Sequence, residues 1–277
     1  MGRRILKMVF LGIKEYKDPY YQGVAAQLAY FFMLSIVPTL IVLSQLLGIM
    51  DISLDFIEGW IRKYVESDMA RALQYLVDYK PVASTNIVLI ITALWAASRI
   101  QFGLTRITDY TYSGGTQIGS FWRDRVRAML TLIITIISMA LMIVLFVYGE
   151  LIVKTLMGMV IDGSIMDKMI TVFRWPVAGG LYFLMVSINY YVLPTKRLKY
   201  REILPGSIFT AIGMLVVTIF YSVYANHAVN YDLIYGSLAS IIALLIWFYF
   251  ISWVLCLGIL VNKVWMDTKG EYDKDVV

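Results

Sequence analysis

Read along the chain, hydrophobic residues come in six long blocks separated by short charged stretches. The blocks run from about Gln27 to Met50, from Asn86 until the run weakens at Arg99, and from Ala128 to Leu151. The other three run from Trp175 to Leu193, Gly206 to Tyr224 and Gly236 to Val261. Each can supply the roughly 20 mostly apolar residues that cross a hydrocarbon core of about 30 Å. The runs are continuous rather than alternating, and a helix satisfies its own backbone hydrogen bonds inside a bilayer, so helices are predicted and barrel strands are not. The expected fold is all-α, a polytopic membrane protein of six transmembrane helices.

The segments between the blocks carry weaker periodicities. Near the start, Ile5, Val9, Gly12, Ile13 and Tyr16 share one helical face while Arg3, Lys7, Lys14 and Lys17 take much of the rest. This is the pattern of an amphipathic helix on the inner membrane surface, or of a plain basic topology signal. No small-residue cleavage site follows, so this start is read as retained. Between the first two blocks, residues 51–85 alternate Asp51, Asp55, Glu58, Glu66, Asp68 and Asp78 with Phe56, Ile57, Trp60, Leu73 and Leu76 at near-helical spacing. An amphipathic helical outer loop is expected there, packing over the mouth of the bundle or lying in the headgroups.

Pro38 stands inside the first block and predicts a kink, since it removes one backbone hydrogen bond. After Arg99 a helical pattern continues through Phe102, Leu104, Ile107 and Tyr110, so a long helix is expected to project into the cytoplasm until Gly114 and Gly115 break it. Small residues four apart, Gly236 with Ser240 and Ala239 with Ala243, predict close helix packing in the sixth block.

Composition adds a bound. Of 277 residues, 60% are hydrophobic and 16% charged, against roughly 25% charged in an ordinary soluble domain. Charge placement adds an orientation, because cytoplasmic segments retain Lys and Arg. With the amino terminus inside, the four inner segments hold five, five, four and three basic residues, and the outer ones four, three and none. Both ends are therefore expected in the cytoplasm. The division that follows is a cytoplasmic segment 1–22, a six-helix membrane domain 23–262 and a cytoplasmic tail 263–277, mobile from about Asp267.

Chemistry narrows next. One histidine and one cysteine, Cys256, cannot build the usual zinc sites, and no nucleotide-binding glycine motif occurs. No catalytic residue, metal or cofactor is assigned, and the chain is not expected to be an enzyme. The substrate-path candidates are instead polar groups that lipid would penalise. Arg99 falls about 13 residues into its helix, roughly 20 Å deep at 1.5 Å per residue. It either snorkels to the headgroups or faces a watery cavity that holds an anion. Arg106, seven residues on, shares its face, and Asp109 continues it.

Gln27, Ser35, Pro38 and Asn189 complete the interior set. Glu150 is the one acid well inside a predicted span, read as interfacial or as a proton-coupling carboxylate. Tyr235 belongs to a last outer loop with His227, Asn230, Tyr231 and Asp232, read as an aromatic belt or a ligand mouth. Two basic clusters, Arg123, Arg125 and Arg127 around Asp124, and Lys196, Arg197, Lys199 and Arg201, serve topology or attract anionic headgroups.

The segments AAQLAYFFMLSIVPTLIVL, LWAASR, PGSIFTAIG and YGSLASIIALLIWFY together resemble the YihY and virulence factor BrkB family of bacterial inner-membrane proteins. The residues carrying the likeness are Ala29, Tyr30, Ser35 and Pro38, then Trp95, Ser98 and Arg99, then Pro194, Pro205 and Gly206, and finally Tyr235, Gly236, Ser237 and Trp247. The resemblance implies a bacterial plasma membrane. It does not imply one activity, since members carry labels as a ribonuclease, as envelope or serum-resistance factors and as transporters. The residues favour a secondary transporter or lipid-translocating protein acting on an anionic or amphiphilic envelope substrate. A non-transporting envelope scaffold is the alternative, and a membrane-bound nuclease is disfavoured for want of metal-holding carboxylates. The expected partners are membrane lipids, anionic ones included, with no specific nucleic acid. Homo-oligomers are compatible with the small-residue faces.

Overall fold

The computed structural model describes residues 2–49, 86–116, 120–157, 163–227 and 238–275. Among them the secondary structure is helical, in eight elements: α1 (Gly2–Tyr16), α2 (Pro19–Ile49), α3 (Asn86–Ala97), α4 (Arg99–Tyr112), α5 (Phe121–Met157), α6 (Gly163–Val192), α7 (Tyr200–His227) and α8 (Leu238–Asp275). The outer segment 51–85 and Gly236 lie outside the described residues, as do the side chains of Ala239 and Ser240.

Local chemistry sets the helix ends. Asp18 precedes Pro19, and its Oδ1 accepts the Tyr20 N–H at 2.9 Å, so an acidic N-cap and a proline at the first helical position open α2. Glu202, in the first turn of α7, reaches back to accept the Lys199 N–H at 2.8 Å, half of a capping box. Gly114 and Gly115 take φ of 67° and 84°, the left-handed region that glycine enters without steric cost. Gly115 N–H then closes α4 onto the Tyr110 carbonyl at 3.0 Å.

Helix α2 continues unbroken through Pro38. Helix α8 runs to Asp275, so within the stretch expected as a mobile tail residues 268–275 are helical.

The core joins α2, α4, α6, α7 and α8 through Leu28, Ile107, Tyr190, Leu193, Ile203 and Ile259, each 1% exposed or less. The closest approach is the antiparallel crossing of α7 and α8. A Cβ built on Gly206 would stand 2.1 Å from the Gly258 carbonyl, and one on Gly258 would stand 1.8 Å from Thr210 Oγ1. Side chains then lock this contact: Gly206 N–H donates to Asn262 Oδ1 at 2.6 Å, and Tyr190 OH lies 2.8 Å from Thr210 Oγ1 and donates to the Leu255 carbonyl at 2.7 Å. Small residues that let backbones meet, with polar groups bonded across the seam, are how helices associate where lipid removes the hydrophobic drive.

Helix α1 is pinned to α8 by Trp253 Nε1–H donating to Tyr16 OH at 2.8 Å and by Lys263 Nζ to Glu15 Oε2 at 2.9 Å. Its Leu6, Val9, Phe10 and Ile13 remain exposed.

Helix α4 differs from the expectation of a projecting arm. It packs against α2, α5 and α8, and it buries a polar edge, Gln101, Thr105, Thr108 and Thr111, beside Leu104 and Ile107. The three threonine hydroxyls make this possible by donating to the carbonyls four residues back, at 2.8, 2.5 and 2.7 Å. A threonine so bonded presents mainly its methyl group to the neighbouring helix.

Candidate functional site

The helical run that begins at Asn86 breaks at Ser98, where φ is −67° and ψ −3°. Hydrogen bonds continue on both sides, from Ser98 N–H to the Leu94 carbonyl and from Phe102 N–H to the Ser98 carbonyl, each at 2.9 Å. The Trp95 carbonyl at this break accepts from Ser98 Oγ at 2.9 Å and also from the Arg125 guanidinium. Arg125 Cζ lies 4.1 Å from the Trp95 ring centroid and 5.6 Å from that of Phe102, and Arg106 Cζ lies 5.1 Å from Phe102. Guanidinium groups at these distances over ring faces are held by cation–π attraction. The LWAASR segment is thus stitched to the start of α5.

Charges concentrate around this junction. Arg99 is exposed and opens α4, while Arg106 is half-buried and Arg125 buried. The Nε atoms of Arg106 and Arg125 have no hydrogen-bond acceptor, and neither carboxylate oxygen of Asp124, a residue 1% exposed, has a donor. Burial raises the Asp124 carboxyl above its ordinary range and the charge of Asp109 adds to this, against the pull of Arg106, Arg123 and Arg127. Burial likewise lowers Arg125, with Arg99 contributing. Buried polar atoms without a protein partner make this junction a candidate site.

Asp109 is committed to architecture. Its Oδ1 accepts the Thr195 N–H at 2.7 Å and its Oδ2 the Thr195 hydroxyl at 2.6 Å. Arg127 donates to the same hydroxyl oxygen at 2.5 Å and to the Leu193 carbonyl at 3.5 Å. This relay ties the turn after α6 to both α4 and α5.

Near the start of α4, on another of its faces, lies a second polar group. Gln101 Nε2 donates to Thr135 Oγ1 at 2.8 Å and to Asn189 Oδ1 at 3.1 Å. The Thr135 hydroxyl stands 2.9 Å from Asn189 Oδ1 and 2.8 Å from the Thr131 carbonyl, and Asn189 Nδ2 donates to the Met185 carbonyl at 2.8 Å. Gln101 Oε1 is buried without a partner. So α4, α5 and α6 meet through amides and a hydroxyl, with one acceptor left over.

Of the residues singled out from sequence, Arg106 and Asp109 fall at or beside the junction and Asn189 in the amide group. Ser35 is buried, its Oγ donating to the Ala96 carbonyl at 3.3 Å next to the break. Gln27 is exposed and Pro38 half-buried. Glu150 lies in α5 but its side chain, like the whole of Tyr235, falls outside the described residues. Sequence reasoning missed Gln101, Thr135 and Thr195, and read Asp124 only as part of a basic cluster. Among the described residues no three His, Cys, Asp or Glu side chains come close enough to hold a metal ion.

The outer surface identifies the class. Ile208, Ile212, Val216 and Phe220 form an exposed stripe on α7, between 44% and 70% accessible. Two segments, Tyr200–Tyr224 and Ile241–Lys269, each contain an 18-residue stretch, of mean hydropathy 2.2 and 2.5, and are long and apolar enough to cross a membrane. Long helices that bury polar residues and expose apolar ones fit a helical membrane protein, the class to which the relatives below belong.

The family follows from comparison with known proteins. The chain matches the family described as virulence factor BrkB over residues 13–275 and belongs to it. It is 29% identical over 247 residues to the putative ribonuclease-like protein YfkH of Bacillus subtilis, covering 88% of this chain and 89% of that one. A UPF0761 membrane protein of Xanthomonas oryzae is 34% identical over 83 residues, 30% of this chain but 19% of that protein. One from Alteromonas mediterranea is 32% identical over 81 residues, 29% of this chain and 27% of that protein. No solved structure matches.

Proposed function

We propose that this protein is a six-span, non-enzymatic transporter of the bacterial plasma membrane, with both ends cytoplasmic, that moves an anionic amphiphile between leaflets. The observation that carries the reading is a set of unpaired polar atoms on α4 and at the start of α5. The Nε atoms of Arg106 and Arg125, both set against the Phe102 ring, lack acceptors, and Gln101, on another face of α4, offers a buried acceptor without a donor. A bundle built only for stability gains little from such groups, because each orphaned buried polar atom costs about 1–3 kcal/mol. A path that holds headgroup oxygens at the arginines and water or hydroxyls at the amides gives them partners. Arg99, exposed beside this cluster, adds positive potential at its mouth.

The test is leaflet exchange of a fluorescent phosphatidylglycerol in vesicles containing purified protein. Wild type accelerates exchange over empty vesicles, and Arg106→Gln and Gln101→Leu each slow it while inserting and folding normally. Exchange no faster than in empty vesicles, or unaffected by both substitutions, would overturn the reading and leave the scaffold role expected as the alternative.

A further inference from the structure

The exposed side of α5 carries a feature separate from these interior groups. Its buried face is Asp124, Arg125, Ala128, Thr131, Leu132, Ile136 and Ala140, and its exposed face includes Trp122, Val126, Leu130, Ile133 and Ile137, between 41% and 69% accessible. Where the exposed face meets the end of α6, a surface groove of about 590 Å³ is lined by Trp122, Arg123, Val126, Arg127, Leu130 and Val192. Arg123 and Arg127 are one helical turn apart at its polar end. Arg127 is held there by its bonds to Thr195 and Leu193.

We infer that this groove binds a phospholipid with an anionic headgroup from the adjoining leaflet. The phosphate sits between Arg123 and Arg127, and one acyl chain lies along Val126, Leu130, Ile133 and Ile137. Length supports the match: Val126 to Ile137 is about 16 Å of helix at 1.5 Å per residue, close to half of a core about 30 Å thick. Charge supports it as well, because two arginines one turn apart on a helix can both reach a single phosphate group. An exposed tryptophan, Trp122, stands beside the arginines, and aromatic rings of this kind are enriched at membrane interfaces. This names the substrate class for the transport proposed above and rests on that reading for its role, though the binding itself does not.

The experiment is native mass spectrometry of the full chain released from nanodiscs of mixed phosphatidylglycerol and phosphatidylethanolamine. Wild type is expected to retain phosphatidylglycerol preferentially. Arg123→Gln, at an exposed position, should lower that retention about tenfold, the scale of one lost charge-assisted contact. Leu130→Trp, which fills the apolar part of the groove without touching charge, should lower it too. Equal retention of the two lipids, or retention unchanged in both variants, overturns the inference. So does displacement of the lipid by inorganic phosphate alone, which would assign the groove to a water-soluble anion, or a lipid-independent dimer that Leu130→Trp dissolves, which would assign it to a second copy of the chain. Leaflet exchange in the same variants separates the two proposals. Retention as expected with no exchange by wild type keeps the groove and removes transport, whereas full exchange by a variant that has lost retention keeps the groove as a lipid site and removes its role in transport.

Discussion

The crossing of α7 and α8 allows a prediction whose sign depends on geometry alone. Replacing Gly206 by alanine places a methyl 2.1 Å from the Gly258 carbonyl oxygen and 2.5 Å from Asn262 Cγ. Carbon and oxygen in ordinary contact stand about 3.3 Å apart or more, so the helices must separate by roughly 1.2 Å. Overpacking of this kind costs about 1–3 kcal/mol. The same shift stretches the bond from Gly206 N–H to Asn262 Oδ1 past its 2.6 Å, and losing a buried hydrogen bond costs about 1–3 kcal/mol more. Against this, alanine gains about 1 kcal/mol of helix propensity over glycine.

The net is a destabilisation of about 1–5 kcal/mol. Gly180, in α6, is the control, since a Cβ there meets nothing within 4 Å. Gly180→Ala should be neutral or stabilise by up to about 1 kcal/mol. The assay is equilibrium unfolding in mixed micelles of increasing dodecyl sulfate fraction. If Gly206→Ala unfolds with Gly180→Ala or later, the two backbones do not meet as described and the reasoning fails.

Three further outcomes follow. Asp109→Asn keeps one acceptor for Thr195 but loses the charge, so unfolding should come earlier by about 1–3 kcal/mol, and Thr195→Val in the same background should add little because the pair acts as one unit. Asn189→Leu strips the shared acceptor from Gln101 and Thr135, and slower leaflet exchange with retained helicity by circular dichroism is expected; retained exchange would make the amide group purely structural. The Tyr20 N–H and then the Tyr110 hydroxyl bonded to Asp18 hold its carboxyl below the ordinary value of 3.8. A depressed folded-state pKa gives stability that is full above 3.8 and lost as pH falls below it through the folded value. Asp18→Asn should therefore lower stability at pH 6 and flatten its acid decline, and a decline as steep as wild type's would refute the assignment.

Much of the helical layout is visible in hydropathy because each continuous apolar run must satisfy its backbone internally. Over the described residues, the runs that begin at Gln27, Ala128, Trp175 and Gly206 lie in helices of 28 residues or more, the third ending one residue short of Leu193. Gly114 and Gly115 mark a helix end in both sequence and structure, since positive φ leaves little choice of residue. The α7–α8 seam was harder to see. Gly236, Ser240, Ala239 and Ala243 have the small-residue spacing, but so do Gly206 with Thr210 and Gly258 with Asn262, and spacing alone does not say which stripe finds a partner. The hydrogen bonds of Tyr190, Thr210 and Asn262 decide it, and they come from three different helices, α6, α7 and α8.

The site shows where such reading stops. Placing Arg99 roughly 20 Å deep counts helical rise from Asn86; the helix runs unbroken to Ala97 and turns at Ser98, so the periodicity before that turn does not set the face Arg99 takes. Four residues of α4 that looked apolar, Phe102, Leu104, Ile107 and Tyr110, divide between two faces, with Leu104 and Ile107 inward and Phe102 under the arginines. The polar set Gln101, Thr105, Thr108 and Thr111 has an equally helical spacing, and it is buried because threonine can satisfy its hydroxyl within its own helix. Periodicity therefore had two solutions, and polarity pointed to the wrong one. What separates them is the neighbour: Asn189 and Thr135 present acceptors that an apolar face could not use. A polar stripe on a helix flanked by membrane spans should accordingly be weighed as an interior seam whenever the adjoining spans carry an isolated amide, as α6 does at Asn189.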